Sequence, residues 1–586
     1  MDVVTLQIDG TEMQVPPGTT VLEAAQSYDI AIPTLCAHPE VTASGRCRVC
    51  VVQIEGHDQL EPACRLQVEP GMIVHTQTPE VIASRRMSVE LLAAQHPMQC
   101  LTCYRNGKCQ LQQLARQFGV QRPRFSRRDA VVKDGKPLYP RWPLDEKSQA
   151  IGHDPNMCIL CGLCIDACRN IQRVDVIDFA KRGPRRNIET AFGQSLNDVE
   201  CTACGQCIQI CPVNAFYEKS DLAIVQAALR NPDVQVMALL SPMVGVSIGE
   251  EFGIEPGTRL NQQLVGALKT IGVDAVFDVS VGGDIVMLED AYQLLSRVRS
   301  GKRLPMFSSS SPAWVKYIEH FHPNMLPLLS TCKSPAQALA SLIKMYEAPK
   351  RGLLPEQVFI VSLTPCTAEK LERLRPEMSI NGEPMIDACL TTKELASLLS
   401  GLLGDSLMSL PPQPYDPPFD QASGAGMLTC AAGGMIEGVM RTFYELFTEK
   451  KLKTPEFSTM RDTDGFAEIT LKTGQDNILG AIVHGTGNVG RLLEKIAKEK
   501  KAYHYVEIKG CPQGCAHGGG EPLPWNDEIL RARRQALYAL DSEQEIRKAH
   551  DNPTIKKLYE EFLKKPASAE VKKVLYTTFT QRQRYL

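Results

Sequence analysis

Cysteine is the residue that most constrains this chain. Fifteen of its 21 cysteines lie before residue 212, in tight groups with CxxC spacing. In a secreted chain this density would suggest disulfides, but CxxC groups behind an N-terminus without a signal-peptide pattern favour metal ligands in a reducing compartment. The sequence therefore predicts a cytoplasmic iron–sulfur protein rather than a disulfide scaffold.

Length and composition narrow the remaining choices. A chain of 586 residues is expected to contain several domains. Its apolar content of 43% and charged content of 22% are typical of globular proteins. A net charge of −3 predicts no nucleic-acid partner, and no apolar run reaches the length of about 18 residues that would predict a membrane span.

The first 78 residues predict a ferredoxin-type domain with a β-grasp fold. Strands are expected at residues 3–8 and 12–15 around an Asp-Gly turn, and a helix opens with a capping-box pattern at Thr20. A long loop, a CxxC pair and a distant fourth cysteine suit a [2Fe–2S] cluster, with a structural zinc site as the alternative. The predicted ligands are Cys36, Cys47, Cys50 and Cys64.

Residues 79–140 hold a second group, in which one ligand is a histidine. A helix is predicted over residues 79–96, and residues 121–143, rich in Arg, Lys and Pro, predict a surface linker. These donors permit either a [4Fe–4S] cluster or a zinc ion, and we favour the cluster. The group is His96, Cys100, Cys103 and Cys109.

Residues 141–220 carry the most specific motif of the chain. Two CxxCxxCxxxC runs follow one another and the second ends in Cys-Pro, the pattern of a bacterial ferredoxin with two [4Fe–4S] clusters. In that pattern the fourth cysteine of each run binds the other cluster. One cluster is predicted on Cys158, Cys161, Cys164 and Cys211, and the other on Cys201, Cys204, Cys207 and Cys168.

From about residue 221 the pattern changes to alternating apolar strands and amphipathic helices. This alternation predicts an α/β region, followed by a charged helical tail of about sixty residues. Strands are expected at residues 234–240, 275–279, 358–362 and 482–484, and helices at 312–322, 333–348 and 488–500.

The order of the cysteine groups resembles the large iron–sulfur subunit of complex I and, equally, the larger [FeFe]-hydrogenases. The later motifs decide between them: residues 241–252, 308–314, 364–368 and 511–522 resemble the catalytic domain of [FeFe]-hydrogenases. Residues 546–562 resemble that family's small-subunit segment. The resemblance implies a multidomain α/β protein, with a hydrogenase-like domain at residues 221–525 and a small-subunit-like tail at 526–586.

The resemblance also shows where this sequence departs from the family's catalytic site. That family splits H2 at a diiron unit joined to a [4Fe–4S] cluster by a bridging cysteine. Here Cys515 holds the bridging position, and Cys366 and Cys511 hold two further ligand positions. Ser310 and Ser311 replace the proton-shuttling thiol and a cluster ligand. A serine hydroxyl is a poor proton relay and a hard, weak ligand for iron.

Further positions of the same site have changed. Glu369 stands where the family's lysine binds a cyanide ligand, so it would place like charges together. Thr364 and Lys509 replace methionines, and Thr429 replaces a phenylalanine. Relay glutamates are replaced by Asp290 and Gln293.

We therefore do not expect a diiron centre. A fourth [4Fe–4S] cluster could survive on Cys366, Cys511, Cys515 and Ser311 or another fourth ligand, beside the one [2Fe–2S] and three [4Fe–4S] clusters predicted above. The remaining cysteines, Cys332, Cys389 and Cys430, are predicted to be small buried hydrophobic residues.

The resulting hypothesis is an iron–sulfur electron-relay subunit without H2 activity. The resemblance to NAD-linked, electron-bifurcating hydrogenases implies a flavin- and NADH-binding subunit, a thioredoxin-like [2Fe–2S] subunit and ferredoxin as partners, with an NADPH- or formate-oxidising subunit as a further donor. The rivals are an active [FeFe]-hydrogenase of unusual subtype and a sensing or structural homologue. The GTGNVG run at residues 485–490 is interpreted as a strand–helix turn rather than a nucleotide site.

Overall fold

A computed structural model gives the fold of the chain. It describes residues 3–125, 132–133, 136–137, 142–404, 409–457, 461, 465–474 and 476–583. The predicted linker at residues 121–143 therefore lies partly outside the described residues. Within them, no helix combines the length and the apolar character needed to cross a membrane.

The N-terminal residues form the predicted β-grasp arrangement around one small core. The elements are β1 (Val4–Ile8), β2 (Thr11–Val15), α1 (Val21–Ser27), β3 (Val51–Ile54), β4 (Glu61–Pro62) and β5 (Ile73–His75). They form a five-stranded sheet in the order β2-β1-β5-β3-β4, with β1 and β2 antiparallel and β1 and β5 parallel. Alternate residues of β1 pack on α1, which begins with the predicted capping box between Thr20 and Glu23.

The next cysteine groups lie on short helices and hairpins. These elements are α2 (Pro79–Gln95), α3 (Gln110–Gln117), β6 (Val132–Lys133), β7 (Lys136–Pro137), β8 (Ile151–His153), α4 (Leu163–Asp166), β9 (Ile177–Ala180), β10 (Asn187–Thr190), α5 (Gln206–Ile210) and β11 (Phe216–Glu218). Strand β11 pairs with β8, and β10 with β9, both antiparallel. One apolar cluster extends from Leu35 through Phe216 to Ala313 and Ala368, and cysteines of every group, including Cys366 of the C-terminal region, belong to it or pack against it.

The C-terminal region is the predicted α/β domain. Its elements are α6 (Leu222–Ala228), β12 (Gln235–Leu240), α7 (Pro242–Ser247), α8 (Asn261–Thr270), β13 (Ala275–Asp278), α9 (Val279–Ser300), β14 (Met306–Phe307), α10 (Pro312–Phe321), α11 (Pro335–Leu342), α12 (Ala348–Lys350), β15 (Val358–Thr364), α13 (Glu369–Glu372), β16 (Ser379–Ile380), β17 (Glu383–Pro384), β18 (Ala388–Thr391), α14 (Thr392–Leu403), α15 (Gly424–Met427), α16 (Gly434–Thr448), β19 (Phe466–Lys472), β20 (Asn477–His484), α17 (Val489–Lys498), β21 (Tyr505–Lys509) and β22 (Pro512–Cys515).

Two four-stranded sheets organise this domain. The first has the order β13-β12-β15-β18 and is parallel throughout. The second has the order β14-β21-β20-β19, in which only β19 runs antiparallel. All the predicted strands and helices of this region are present, and the helix predicted at 333–348 is α11 continued through a π-turn, Ile343–Glu347, into α12.

The tail is helical, as predicted, and packs on the α/β domain. It consists of α18 (Asp527–Ser542), α19 (Pro553–Leu558) and α20 (Ala569–Leu575). The carboxylate of Asp541, at the end of α18, binds the Arg441 guanidinium of α16 at 2.8 Å, and both side chains are fully buried. The tail is therefore part of the core rather than a loose appendage.

Candidate iron–sulfur sites

The first cysteine group lies in the loops of the β-grasp sheet, and all four of its side chains are buried. The backbone N–H of Cys47 donates to Cys36 Sγ at 3.3 Å. The thiols of Cys47 and Cys64 donate to the same sulfur and hold the pKa of Cys36 well below its usual range. Cys64 also contacts Cys50, so the four sulfurs share one small volume. Four soft ligands in this arrangement fit a [2Fe–2S] cluster.

Arg85 is a buried cation beside this group that the sequence alone did not single out. It is 2% exposed, and its Nε donates to Val51 O at 3.0 Å. The guanidinium also interacts electrostatically with Cys50. A positive charge at this position stabilises thiolate ligands and the extra negative charge of a reduced cluster.

The second group lies between α2 and α3. The backbone N–H of Met98 donates to His96 Nδ1 at 3.2 Å, which orients the imidazole ring within the loop. Cys109, at the start of α3, has its Sγ 3.8 Å from Pro212 O. The Arg105 guanidinium donates to Cys211 O at 3.0 Å. This group therefore lies directly against the double-cluster module.

The structure brings the cysteines of the double-cluster module together in the two predicted sets. Cys211 interacts electrostatically with the first run, and Cys168 with the second, because the two runs cross over. Burial raises the pKa of the Cys158 and Cys168 thiols, as expected for groups that would be ionised only when metal is bound. The sets are Cys158, Cys161, Cys164 and Cys211, and Cys168, Cys201, Cys204 and Cys207.

Two glycines allow neighbouring loops to approach these sets. Gly162 and Gly205 occupy equivalent positions in the two runs and both adopt a left-handed conformation. A Cβ on Gly162 would lie 2.1 Å from an Arg46 nitrogen, and one on Gly205 would lie 2.6 Å from Gly519 Cα. The first-group loop thus contacts one set and the C-terminal loop contacts the other.

The C-terminal cysteines also converge. Cys366 follows β15, and Cys511 and Cys515 lie at the two ends of β22. Cys366 interacts electrostatically with both of the others. Cys511 Sγ is 4.0 Å from Cys204 O, so this pocket adjoins the second ferredoxin set. Burial raises the pKa of Cys511 to about 12.

The two serines of the pocket hydrogen-bond within their own surroundings. Ser311, which precedes α10, accepts a hydrogen bond from Gly510 N at 3.1 Å. Ser310 accepts one from the Ser308 hydroxyl at 3.0 Å. Ser311 therefore lies beside Gly510, the residue that precedes Cys511. Its hydroxyl oxygen already accepts a hydrogen bond from the Gly510 backbone.

Cys430 belongs to this pocket, which corrects the prediction that it is merely a small hydrophobic residue. It is buried, as predicted, but its Sγ is 3.2 Å from Ser241 Oγ and contacts the Cys515 thiol. The hydrogen bond with Cys515 lowers the pKa of Cys430. Burial acts in the opposite direction, but the Ser241 hydroxyl also lowers the pKa, so the net shift is downward. Its position next to Thr429, a predicted pocket residue, was the signal that could have revealed it. Cys332 and Cys389 are buried as predicted.

Two charged side chains face the same pocket. The Glu369 carboxylate accepts hydrogen bonds from Thr364 Oγ1 at 2.8 Å and Ser362 Oγ at 3.0 Å. Lys509 Nζ donates to Thr429 O at 2.8 Å and lies 3.6 Å from Glu507. The ammonium group interacts with both Cys430 and Cys515. The pocket therefore contains a cation. It is supplied by Lys509 and not by position 369, where the family has a lysine and this chain has a glutamate.

The predicted relay positions are buried and hydrogen-bonded. Asp290 accepts from Ser330 Oγ at 2.5 Å and from the Tyr505 hydroxyl at 2.7 Å. Gln293 accepts from the Thr331 hydroxyl at 3.0 Å and donates to Cys332 Sγ at 3.2 Å. These contacts tie α9 to the loop after α10 and to β21.

The pocket fits part of the cofactor that the sequence resemblance implies. Cys366, Cys511 and Cys515 supply three soft ligands for a [4Fe–4S] cluster. The diiron unit does not fit, because the Glu369 carboxyl group, held by Thr364 and Ser362, stands where the family's lysine binds an anionic cyanide ligand. No chemistry is therefore assigned to a diiron unit.

Comparison with known proteins gives the same order of domains along the chain. Family models match a 2Fe-2S iron-sulfur cluster binding domain at residues 1–79 and the iron-sulfur binding region of NADH-ubiquinone oxidoreductase G at 85–124. A 4Fe-4S dicluster domain matches at 157–215. The C-terminal domain of the iron-only hydrogenase large subunit matches at 234–519, and the iron hydrogenase small subunit at 527–582.

Individual proteins are similar over the whole chain. The NADP-reducing hydrogenase subunit HndD of Solidesulfovibrio fructosivorans is 37% identical, with all of both chains covered. Iron hydrogenase 1 of Clostridium pasteurianum is 30% identical over 98% of this chain and 99% of that protein. The solved structure of [FeFe]-hydrogenase HydA1 from Chlamydomonas reinhardtii is 30% identical, with a TM-score of 0.55, and covers 61% of this chain and 98% of that one. The chain therefore belongs to the iron-only, or [FeFe], hydrogenase large-subunit family, with [2Fe–2S] and [4Fe–4S] binding domains.

Proposed function

We propose that this chain is the electron-relay subunit of an NAD(P)-linked iron–sulfur oxidoreductase complex, and that it does not activate H2. The bound clusters would supply one-electron transfer. The observation that carries the relay function is the direct contact between successive ligand groups. The Ser44 hydroxyl, in the loop of the first group, donates to Cys161 O at 3.2 Å. Arg105 of the second group donates to Cys211 O, and Cys511 lies against Cys204.

Buried glutamines fix the last of these contacts. Gln206 and Gln209 of α5 donate to the carbonyls of His517 and Gly519 at 2.9 and 3.1 Å. Gln172 donates to Gly510 O at 2.9 Å. Because the donors come from the ferredoxin module and the acceptors flank Cys511 and Cys515, the two ligand sets are held at a fixed separation. Fixed separation is what a relay needs from its protein.

The partners follow from the family. HndD is named as a subunit of an NADP-reducing hydrogenase, which supports an NAD(P)-linked, multisubunit complex for this chain. Within it we assign a flavin- and NADH-binding iron–sulfur subunit, a thioredoxin-like [2Fe–2S] subunit and ferredoxin as partners. A transhydrogenase or a formate dehydrogenase of the electron-bifurcating type, in the cytoplasm, is the complex that best combines these partners with a chain that lacks H2 chemistry.

The loss of H2 activity is supported by the pocket around Cys515. Ser310 offers a hydroxyl where the family passes protons through a thiol, and a serine is far weaker as a proton relay. Glu369 places a carboxyl group where the family binds an anionic ligand. Cys430 contacts the sulfur that would have to bridge both halves of the cofactor.

A second candidate is an active [FeFe]-hydrogenase of unusual subtype. Lys509 is the observation that favours it, because its ammonium group lies near Cys515 and could take the place of the missing family lysine. The two candidates predict opposite spectra, so one experiment separates them.

The test is infrared spectroscopy of the intact complex, produced with the machinery that matures the diiron cofactor. A diiron unit gives CO and CN⁻ stretching bands that no protein group produces. We expect no such bands and no H2-dependent dye reduction. Iron hydrogenase 1 matured in the same cells is the positive control. Bands in this chain alongside the control would establish the second candidate instead.

A further inference from the structure

A cavity of about 540 Å³ lies beside the second ferredoxin set. It is formed where three parts of the chain meet: the ferredoxin module, the α10 and α13 region, and the end of the tail. Thr202 contributes from the first part, Lys316 and His320 from α10, Arg375 from the segment after α13, and Arg582 from the tail. None of these five residues belongs to a predicted cluster-ligand set.

Two polar groups on residues that line this cavity have no hydrogen-bond partner in the described part of the chain. They are His320 Nε2 and Arg375 Nε, on side chains that are 6% and 8% exposed; Arg375 Nε lies 3.9 Å from Glu377, beyond hydrogen-bond distance. Leaving a buried polar atom unpaired is unfavourable, so two on one cavity indicate that something else satisfies them.

The charges around the cavity leave one cation uncompensated. Glu319, behind the wall, binds Arg375 at 3.0 Å and Arg582 at 2.8 Å, which neutralises part of their charge. Of the two acids that line the cavity, Asp198 pairs with Lys147 at 3.6 Å, and burial raises the pKa of Glu372 to about 8. Lys316 Nζ forms no ion pair or hydrogen bond with any described residue, although its side chain is largely enclosed.

His320 adds a condition on the ligand. Its Nδ1 lies 3.2 Å from Gln583 O, and because a carbonyl oxygen can only accept, the proton is on Nδ1. In the neutral ring Nε2 is then an unpaired acceptor on a side chain that lines the cavity. A molecule in the cavity would therefore present a hydroxyl to His320 and anionic oxygen atoms to Lys316 and Arg375.

We propose that this cavity is a binding site for a small oxyanion that also carries a hydroxyl group, such as hydrogen phosphate or a hydroxycarboxylate. Lys316 and Arg375 bind its anionic oxygens, and His320 Nε2 accepts from its hydroxyl group. An oxyanion satisfies all the unpaired groups and the free charge at once.

Occupation of this site would tune the adjacent cluster. Lys316 and the Cys201 thiol interact electrostatically, so the cavity is close to the second ferredoxin set. A bound anion next to a cluster disfavours the extra electron and lowers the reduction potential. This effect rests on the proposed relay function, whereas binding itself does not.

The binding test uses the full-length chain with reconstituted clusters and isothermal titration calorimetry. Inorganic phosphate and L-malate are titrated separately, with chloride as the anion that lacks a hydroxyl. We expect one site per chain, and at least a tenfold weaker affinity in Lys316→Met. Lys302→Met, which removes an exposed lysine away from the cavity, should bind like the wild type. Equal affinity in the two variants, or no binding by the wild type, overturns the proposal.

Two further measurements keep the test decisive. Arg582→Gln removes a cavity cation from the tail without touching the ferredoxin module, and it should also weaken binding if Lys316→Met does not fold.

An EPR-monitored redox titration should show a negative shift of the Cys201-set potential on addition of the tighter anion, and no shift in Lys316→Met. If both anions fail to bind while ferredoxin binding falls in Lys316→Met, the cavity receives an acidic side chain of a protein partner and the small-oxyanion proposal is wrong. Anion binding without a potential shift would overturn the proposed tuning of the Cys201-set cluster and leave the binding site in place.

Discussion

Single residues around Cys515 show how the pocket accommodates its substitutions. A buried carboxylate without partners would be strongly disfavoured, and Glu369 receives hydrogen bonds from Thr364 and Ser362. Lys509, which is more deeply buried than Glu369, donates to Thr429 O and lies 3.6 Å from Glu507. Both charged side chains therefore have polar partners within the protein. The pocket is therefore a self-consistent polar site and not a damaged one.

Cys204 gives the simplest test of the double-cluster module. Its replacement by alanine removes one of four soft ligands from the set with Cys201, Cys207 and Cys168. We expect loss of about four irons and of one [4Fe–4S] EPR signal, because alanine offers no donor atom in place of the lost thiolate. The [2Fe–2S] signal should persist.

Cys389→Ala is the matched control for that prediction, because Cys389 is buried but lies in no cysteine set. It should keep every signal. Simultaneous loss of the [2Fe–2S] and [4Fe–4S] signals in Cys204→Ala would contradict the expectation that the first domain folds independently of the module.

Site residues that lie close together in the sequence could be predicted from it. Site residues that come together only in the folded chain could not. The CxxC spacings point to the ligands of the N-terminal groups because each run folds around its own site. Cys430 and Cys515 come from separate elements, so no spacing rule connects them. Arg85 was missed for the same reason, since it is placed by α2 packing on β3.

At the scale of elements, the glycine-rich turn between β20 and α17 shows how a motif can serve packing. Thr486 Oγ1 donates to Gln172 O at 2.6 Å, and a Cβ on Gly487 would lie 1.9 Å from Ile171 O. The end of the first ferredoxin run fills the space that a pyrophosphate would need. This turn therefore joins the ferredoxin module to the α/β domain, in keeping with its interpretation as a strand–helix turn.

Gly487→Ala should weaken the junction between the ferredoxin module and the α/β domain. The added methyl cannot be accommodated against backbone at 1.9 Å, so the turn must move away from Ile171. We expect a loss of roughly 2–4 kcal/mol in the stability of the junction, seen as faster limited proteolysis between the module and the domain.

Gly490→Ala is the control within the same motif, because a Cβ there meets nothing within 4 Å and the residue lies in α17. It should be neutral or stabilising by up to about 1 kcal/mol. Equal proteolysis of the two variants would show that the turn does not hold the junction.

Helix α9 is the largest element that the sequence did not predict. Fifteen of its residues, from Val279 to Leu295, are buried, so its sequence lacks the amphipathic period that identifies surface helices. Gly282 and Gly283 also argue against a helix by propensity, yet a Cβ at these positions would lie about 2 Å from Pro335 O and Thr429 Oγ1. Tertiary packing overrides local preference here.

The tail is held by a buried ion-pair network that can be tested at one residue. Burial alone would raise the pKa of Asp541, but the Arg441 and Arg547 guanidiniums outweigh it and lower the pKa to about 2. Asp541→Asn should destabilise the tail by less than the roughly 3–5 kcal/mol of a fully unpaired buried charge, because Arg441 and Arg547 lose a shared carboxylate while Glu437 still pairs with Arg441 at 2.6 Å. Accelerated trypsin cleavage after α18 is the measurement.

The pH dependence of that contribution has a definite sign. Since the folded pKa of Asp541 lies below the unfolded value of about 3.9, the stabilisation is complete above that value and declines as the pH falls toward 2. The difference between Asp541→Asn and wild type should therefore be the same at pH 6 and pH 8. Asp551→Asn, at an exposed pair with Lys548, should change stability by less than about 1 kcal/mol.

At the scale of the whole molecule, the cysteine groups form a continuous series from the β-grasp loop to the C-terminal pocket. Each of the other groups touches the ferredoxin module through a residue at or near a ligand: Ser44 with Cys161, Arg105 with Cys211, and Cys511 with Cys204. The second group thus branches from the module instead of lying in one line with the first. Two separate contacts of this kind would suit the proposed relay function.

Iron content tests this organisation in a single measurement. One [2Fe–2S] and three [4Fe–4S] clusters require about 14 irons, and a cluster on Cys366, Cys511 and Cys515 would add about four. We expect about 18 irons in the anaerobically reconstituted chain, because three converging thiols beside Cys204 are sufficient to hold a cubane with a weaker fourth ligand. Cys511→Ala should lower the count to about 14 and leave the other EPR signals unchanged. A wild-type count of about 14 that Cys511→Ala does not alter would show that the C-terminal pocket holds no cluster, and a count near six would contradict the double-cluster module itself.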